Sequence, residues 1–189
     1  MESIISREII SNKKICRALA VTVFIAFTTL SAFVRIPLPF TPVPLTLQTL
    51  FVLFSGALLG RRLGVLTQTG YLLLGLTGLQ VFTGIGSGAL YLLGPTGGYI
   101  VGFILASFFA GSLFSQTNHK WGNIFLKFLF ADFIILTSGA IWLKSALSCS
   151  FGQAFLLGFL PFVPGDLLKV AFATVVFKKI HSRIKETLY

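Results

Sequence analysis

Apolar residues fall into six runs, and proline, glycine or basic clusters break the chain between them. The runs are Cys16 to Val34, Leu45 to Gly60, Leu63 to Leu79, Gly97 to Ser115, Gly122 to Leu143, and a last one within Phe151 to Ile180. A helix standing perpendicular to a bilayer needs about 20 apolar residues, so the shorter runs depend on burial in a bundle and on local thinning of the lipid. The pattern predicts an all-α fold: a polytopic membrane bundle of six transmembrane helices in one integral membrane domain, residues 1–189. Residues 1–15 form a cytoplasmic N-terminal segment, 16–181 the six-helix bundle, and 182–189 a cytoplasmic tail.

The breaks are as informative as the runs. Pro37-Leu38-Pro39-Phe40-Thr41-Pro42-Val43-Pro44 places four prolines in eight residues, which removes backbone donors and forbids regular helix. Gln80 to Tyr91 is glycine-rich and carries no charge. A long uncharged loop is poorly suited to open water, so it is expected to fold back on the mouth of the bundle, where non-helical backbone can line a cavity. No fixed-period repeat is visible.

Charge orients the spans. Arg7, Lys13, Lys14 and Arg17 cluster at the start of the first run, Arg61 and Arg62 separate the second from the third, and Lys120 lies between the fourth and fifth. Lys178, Lys179, Arg183 and Lys185 close the last run, whereas the alternate connections hold only Arg35 and Lys144. With six spans every strong basic cluster falls on one side, which the positive-inside rule makes cytoplasmic, together with both termini. Composition agrees: 55% of the 189 residues are hydrophobic and 11% charged, against about 25% charged in soluble domains. The formal net charge of +10 is explained by these retention clusters. Nucleic-acid binding is set aside, because no basic face is interleaved with aromatics.

The N-terminal segment is polar and basic, and Ala18 to Val34 ends at Arg35-Ile36-Pro37 without a small-x-small cleavage pattern. The first span is therefore expected to be kept. Cys16 and Cys149 are expected on opposite sides, unpaired and outside any metal-ligand pattern. His119 and His181 are expected as solvated histidines of charged connecting segments.

Acidic residues are scarce, so their positions carry weight. Between Glu8 and Asp132 there is none. Asp166 lies in Pro161-Phe162-Val163-Pro164-Gly165-Asp166-Leu167-Leu168-Lys169. Proline suits the first helical position and an acid suits the first turn, so the last span is expected to start near Pro164, on the non-cytoplasmic side. Phe151 to Leu160 then forms a short interfacial or re-entrant piece. Asp166 and Lys169 stand at i and i+3 on one helical face. They read either as an ion pair and helix-start signal, or as a receptor for a ligand that carries both N–H donors and a carboxylate. Asp132 falls inside the fifth span, with Lys127 five residues earlier and Thr137 and Ser138 just beyond. It reads as structural pairing or as part of a hydrated helix interior.

Tyr71, Tyr91 and Tyr99 fit an interfacial aromatic belt, with added interest in Tyr91 and Tyr99 because they flank Gly94-Pro95-Thr96-Gly97-Gly98. That glycine segment is not a phosphate loop: it lacks the glycine-lysine-serine/threonine ending and no strand precedes it. No ATP is expected on this chain and no cofactor. Ala18, Thr22 and Ala26 recur at four-residue spacing and form a small-residue stripe, suited to internal packing or to docking another membrane subunit.

Three blocks together resemble the BioY family, the biotin-binding S components of energy-coupling-factor (ECF) transporters. The first is Pro42-Val43-Pro44-Leu45-Thr46-Leu47-Gln48-Thr49-Leu50-Phe51-Val52-Leu53 followed by Gly56-Ala57-Leu58-Leu59-Gly60. The second is Gly94-Pro95-Thr96-Gly97-Gly98-Tyr99, and the third is the Pro161 to Lys169 segment. The resemblance covers residues 18 to 180 and implies six helices around an outward-facing pocket that holds one biotin. It implies that Asp166 and Lys169 contact the ligand, with Gln48, Thr96, Tyr91, Tyr99 and Phe82 as further binding residues, the aromatic rings forming apolar walls. It also implies partners: a transmembrane coupling protein and two ATPase subunits, docked on Ala18, Thr22 and Ala26. Thr22 departs from a smooth alanine stripe there, and Asp132 matches none of the three blocks.

Two other classes stay in view. A membrane-embedded enzyme is disfavoured because no His-Glu-x-x-His, paired carboxylates or Ser/His/Asp set falls on the expected helices. A stand-alone secondary transporter of biotin or a related vitamin lacks evident inverted repeats, but Asp132 could serve a proton path in it.

Overall fold

The computed structural model describes the backbone of residues 13–115 and 120–188, with side chains as far as His181. The element order is α1 (Lys13–Phe33), β1 (Arg35–Ile36), β2 (Leu45–Thr46), α2 (Gln48–Leu76), α3 (Gly88–Leu93), α4 (Gly97–Phe114), α5 (Trp121–Ala146), α6 (Phe151–Gly158) and α7 (Val163–Leu188). The fold is all-helical apart from one two-stranded ribbon. Its strands are antiparallel, with Arg35 opposite Thr46 and Ile36 opposite Leu45. They clamp the base of the proline loop, whose missing N–H donors matter little where no partner strand lies. Strands of two residues leave no readable alternation, so the ribbon has no signature in the sequence.

α2 is folded back on itself. Gly60 interrupts it with φ 79° and ψ 173°, a conformation that side chains resist. An unbroken helix would set Gln48 and Tyr71 about 35 Å apart at ~1.5 Å per residue. Instead Gln48 Nε2 donates to Tyr71 Oη at 2.6 Å, and Gln68 Nε2 donates to Ser55 Oγ at 2.9 Å. The arms 48–59 and 61–76 therefore run side by side, with the Arg61-Arg62 pair at their turn. α4 lies against this hairpin at a glycine: a Cβ on Gly56 would stand 2.4 Å from the Ser107 carbonyl oxygen. Small residues allow such approach where lipid supplies no hydrophobic force between helices.

Four helices, α1, α2, α4 and α5, are long and apolar enough to cross a membrane, and the pair α6–α7, bent by 50°, brings the count up to five. The sequence reading expects six runs. The two counts differ at α2, one 29-residue element here and two expected spans. The perimeter is apolar: Leu30, Leu126, Ile141, Phe151, Leu168 and Phe172 are all exposed. Exposed apolar area of that extent is what a lipid-facing surface presents. Inside, Phe54, Phe114, Phe128 and Phe177 pack ring against ring.

Two expectations change. His181 is not a loop histidine; it lies on α7 with its ring stacked on Phe177 at 5.0 Å. The last apolar run simply continues as helix past the basic cluster, which polarity alone does not reveal. His119 lies outside the described residues. Cys16 and Cys149 form no disulfide with each other.

Candidate functional site

The break between α6 and α7 places Asp166 in the first turn of α7, one helical turn before Lys169. Both side chains point inward and line a cavity instead of meeting lipid; Asp166 is 3% exposed and the Lys169 side chain 11%. Lys169 Nζ pairs with Asp166 Oδ1. It also donates to the Thr46 carbonyl at 2.9 Å and to Thr49 Oγ1 at 2.6 Å. The Thr49 hydroxyl in turn reaches Asp166 Oδ1 at 3.3 Å. All three ammonium donors are thus engaged, which is how a cation is kept at membrane depth. The ribbon has a role here: pairing of Thr46 with Arg35 fixes the backbone whose carbonyl receives Lys169.

A second polar cluster closes the other side. Gln48 Oε1 accepts from Thr83 Oγ1 at 2.9 Å while Gln48 Nε2 binds the Tyr71 hydroxyl. Tyr71 Oη donates to the Val81 carbonyl at 3.1 Å, and Tyr91 Oη to the Thr83 carbonyl at 2.9 Å. The uncharged loop does fold back on the bundle, held by the Thr83–Gln48 and Tyr71–Val81 hydrogen bonds and by the buried ring of Phe82. That ring stacks on Tyr91 at 5.0 Å and meets the Tyr71 edge at 5.5 Å. Tyr99 Oη donates to the Gly158 carbonyl, tying α4 to the α6–α7 break.

Of the residues singled out in the sequence, Asp166, Lys169, Gln48, Tyr91, Thr96 and Tyr99 line one cavity. Phe82 does not. It lies behind Tyr71 and Tyr91 and shapes the wall from outside. Thr46, Thr49, Tyr71 and Thr83 line the cavity as well, though sequence reasoning passed over three of them and placed Tyr71 in a belt. Tyr71 is fully buried. The signal for Thr46 and Thr49 was their place in the first block, on either side of Leu47 and Gln48; Thr83 had none. Ile100, Phe103, Leu136 and Phe162 add apolar wall. The cavity volume is about 50 Å³, room for a few waters at ~10–15 Å³ each. Ligand pockets of ordinary size hold ~300–1,000 Å³, so this cavity is narrow.

Asp132 is buried with Oδ1 unpartnered, and the groups expected near it are engaged elsewhere. Lys127 lies over the Phe114 ring at 5.3 Å, Thr137 donates to the Phe133 carbonyl, and Ser138 donates to the Gly98 carbonyl at 2.8 Å. On α1, Ala18, Thr22 and Ala26 are all exposed, so internal packing is not what the stripe does. Thr22 turns its hydroxyl back onto the Ala18 carbonyl at 3.1 Å, leaving its methyl group outward. Among the described residues no group of three or more His, Cys, Asp or Glu side chains is gathered as a metal would need.

Comparison with known proteins bears on the family and the fold. The BioY family model matches residues 6–186. A probable biotin transporter BioY of Pyrococcus horikoshii is 38% identical over 160 residues, 85% of this chain and 93% of that protein. Biotin transporter BioY of Thermotoga maritima is 37% identical over 155 residues, 82% of this chain and 89% of the relative. A crystal structure of the S-component for biotin from an ECF-type ABC transporter superposes with a TM-score of 0.84 at 28% identity, covering 94% of this chain and 98% of the other.

Proposed function

The chain belongs to the BioY family, and from that premise we propose that it captures biotin in the Asp166–Lys169 cavity for uptake across the cell membrane. The observation that carries this reading is the orientation of the Asp166–Lys169 pair toward a cavity with apolar walls. Biotin suits such a site. Its ureido N–H groups match a carboxylate acceptor, its carboxylate matches the ammonium, and its thiophane body matches Tyr91, Tyr99, Ile100 and Phe103. The family and these relatives are transporters and not enzymes.

In this reading the two arms of α2 count as separate spans, which with α1, α4, α5 and the α6–α7 unit makes six helices with both termini cytoplasmic. The chain works as the S component of an ECF-type transporter. A coupling membrane protein docks on the exposed Ala18, Thr22 and Ala26 face of α1, and two ATPase subunits supply the energy; the chain itself binds no ATP. A second reading, stand-alone secondary transport, draws on the buried Asp132. The test is equilibrium binding of a vitamin panel to the purified chain without nucleotide. Biotin is expected to bind far more tightly than the others. Failure of biotin to bind overturns the proposal, and biotin uptake by cells lacking every coupling ATPase supports the second reading.

A further inference from the structure

A second, larger cavity lies at the end of the bundle away from Asp166 and Lys169. Its volume is about 650 Å³, against about 50 Å³ for the first. Three helices fix its place. On α2 the first cavity takes Gln48 and Tyr71, near the tips of the two arms, and the second takes Gly60 and Arg61, at the turn between them. On α4 the sequence runs from Tyr99 in the first to Phe114 in the second, and on α7 from Lys169 to His181. At ~1.5 Å per residue that last step is about 18 Å, so the cavities sit at opposite ends of the same helices.

The floor of the second cavity is apolar. The rings of Phe114 and Phe177 stand 4.5 Å apart there, with Leu58 beside them. The rim is polar and cationic. Ser112 and Ser115 spend their hydroxyl protons on the Phe108 and Ser112 carbonyls, at 2.8 and 2.6 Å, so the donors left for a ligand belong to Arg61. Its guanidinium lies 5.3 Å over the Phe108 ring, a contact that consumes no N–H. The backbone holds this residue in place: a Cβ on Gly111 would stand 2.3 Å from the Arg61 nitrogen. Arg62 is exposed next to it. Among the residues whose side chains are described, the acids are Asp132 and Asp166, and neither lines this cavity.

A cavity of this volume is in the ordinary range for a bound ligand, roughly 300–1,000 Å³. A free anion would satisfy Arg61 and leave the phenylalanine floor bare. A neutral apolar molecule would fill the floor and leave the guanidinium unmatched. An amphiphile with an anionic phosphate head and an apolar tail matches both, and guanidinium suits phosphate oxygens in particular. Basic pockets between membrane helices are known receptors for such heads. We propose that the cavity between the α2 turn, the end of α4 and α7 is a binding site for an anionic phospholipid, with its phosphate on Arg61 and a chain against Leu58, Phe114 and Phe177. The inference draws on the reading of the bundle as membrane-spanning and is independent of biotin as ligand.

The experiment is native mass spectrometry of the full-length purified chain in detergent, titrated with phosphatidylglycerol and, separately, with phosphatidylcholine. The unaltered chain is expected to bind phosphatidylglycerol at least roughly fivefold more tightly, the contribution of about one arginine at a lipid surface. Arg61→Gln is expected to abolish that preference. Ala57→Phe and Ser112→Phe fill the cavity from two helices without altering charge, and are expected to weaken phosphatidylglycerol binding by a similar factor. Circular dichroism of each variant separates loss of the site from loss of the fold. Equal affinity for the two lipids overturns the proposal, as does a preference that survives Arg61→Gln. A preference that survives in both filled variants also overturns it, since the lipid is then held by the basic surface and not by the cavity. Displacement of the lipid by an equal concentration of inorganic phosphate assigns the site to free anions and overturns the lipid reading. No biotin enters the measurement, so its failure and that of the functional reading are distinguishable.

Discussion

Lys169 of α7 donates to Thr49 Oγ1 of α2 across 2.6 Å, joining residues 120 positions apart. The same hydroxyl reaches Asp166, so the acid–amine pair is held open to the cavity by a helix from the opposite half of the chain. Thr49→Val keeps the shape and removes the hydroxyl. It is expected to weaken biotin binding by about 1–2 kcal/mol, roughly 5- to 30-fold, in equilibrium binding to the purified variant.

The Gln48–Tyr71–Thr83 cluster fastens the loop over the site. Tyr71→Phe removes the hydroxyl that joins Gln48 to the Val81 carbonyl. The loss of about 1–2 kcal/mol is expected to speed amide hydrogen exchange of residues 80–91 by roughly 5- to 30-fold. Exchange elsewhere in the bundle should stay near its original rate, as followed by mass spectrometry.

Much of this arrangement was open to inspection in the sequence. Asp166 and Lys169 stood out because acids are scarce and an i, i+3 relation is local, needing no knowledge of the fold. Thr49 and Tyr71 were not legible as site residues, because their contacts depend on α2 turning back at Gly60 and on where its arms meet α7. Phe82 was legible as an aromatic near the site, but which face of a wall a ring occupies is set by packing. His181 was misplaced because a basic cluster marks a membrane edge without ending the helix. Two-residue strands at Arg35 and Leu45 leave no period to detect.

Gly56 lets α2 and α4 approach backbone to backbone. Gly56→Leu pushes a side chain against the Ser107 carbonyl and is expected to lower stability by about 1–3 kcal/mol. The check is a reduced midpoint of thermal unfolding in detergent, relative to a substitution at exposed Leu126.

In the proposed assembly, docking and capture use different surfaces. Ala26→Trp puts a bulky ring on the exposed stripe of α1, far along the chain from the cavity residues. Biotin binding to the purified variant should stay unchanged, while uptake driven by coupling protein and ATPases in reconstituted vesicles falls by at least about tenfold, the equivalent of ~1.4 kcal/mol of lost association.

The most direct test of the central claim is equilibrium binding of biotin to Asp166→Asn. The substitution keeps side-chain volume while stripping the half-buried ammonium of Lys169 of its charged partner. Losing one member of such a pair costs about 2–5 kcal/mol, so affinity is expected to drop by roughly 100-fold or more with the helical content of the protein retained. An affinity within about twofold of the unaltered chain, a difference under ~0.5 kcal/mol, would contradict the assignment of this cavity as the biotin site.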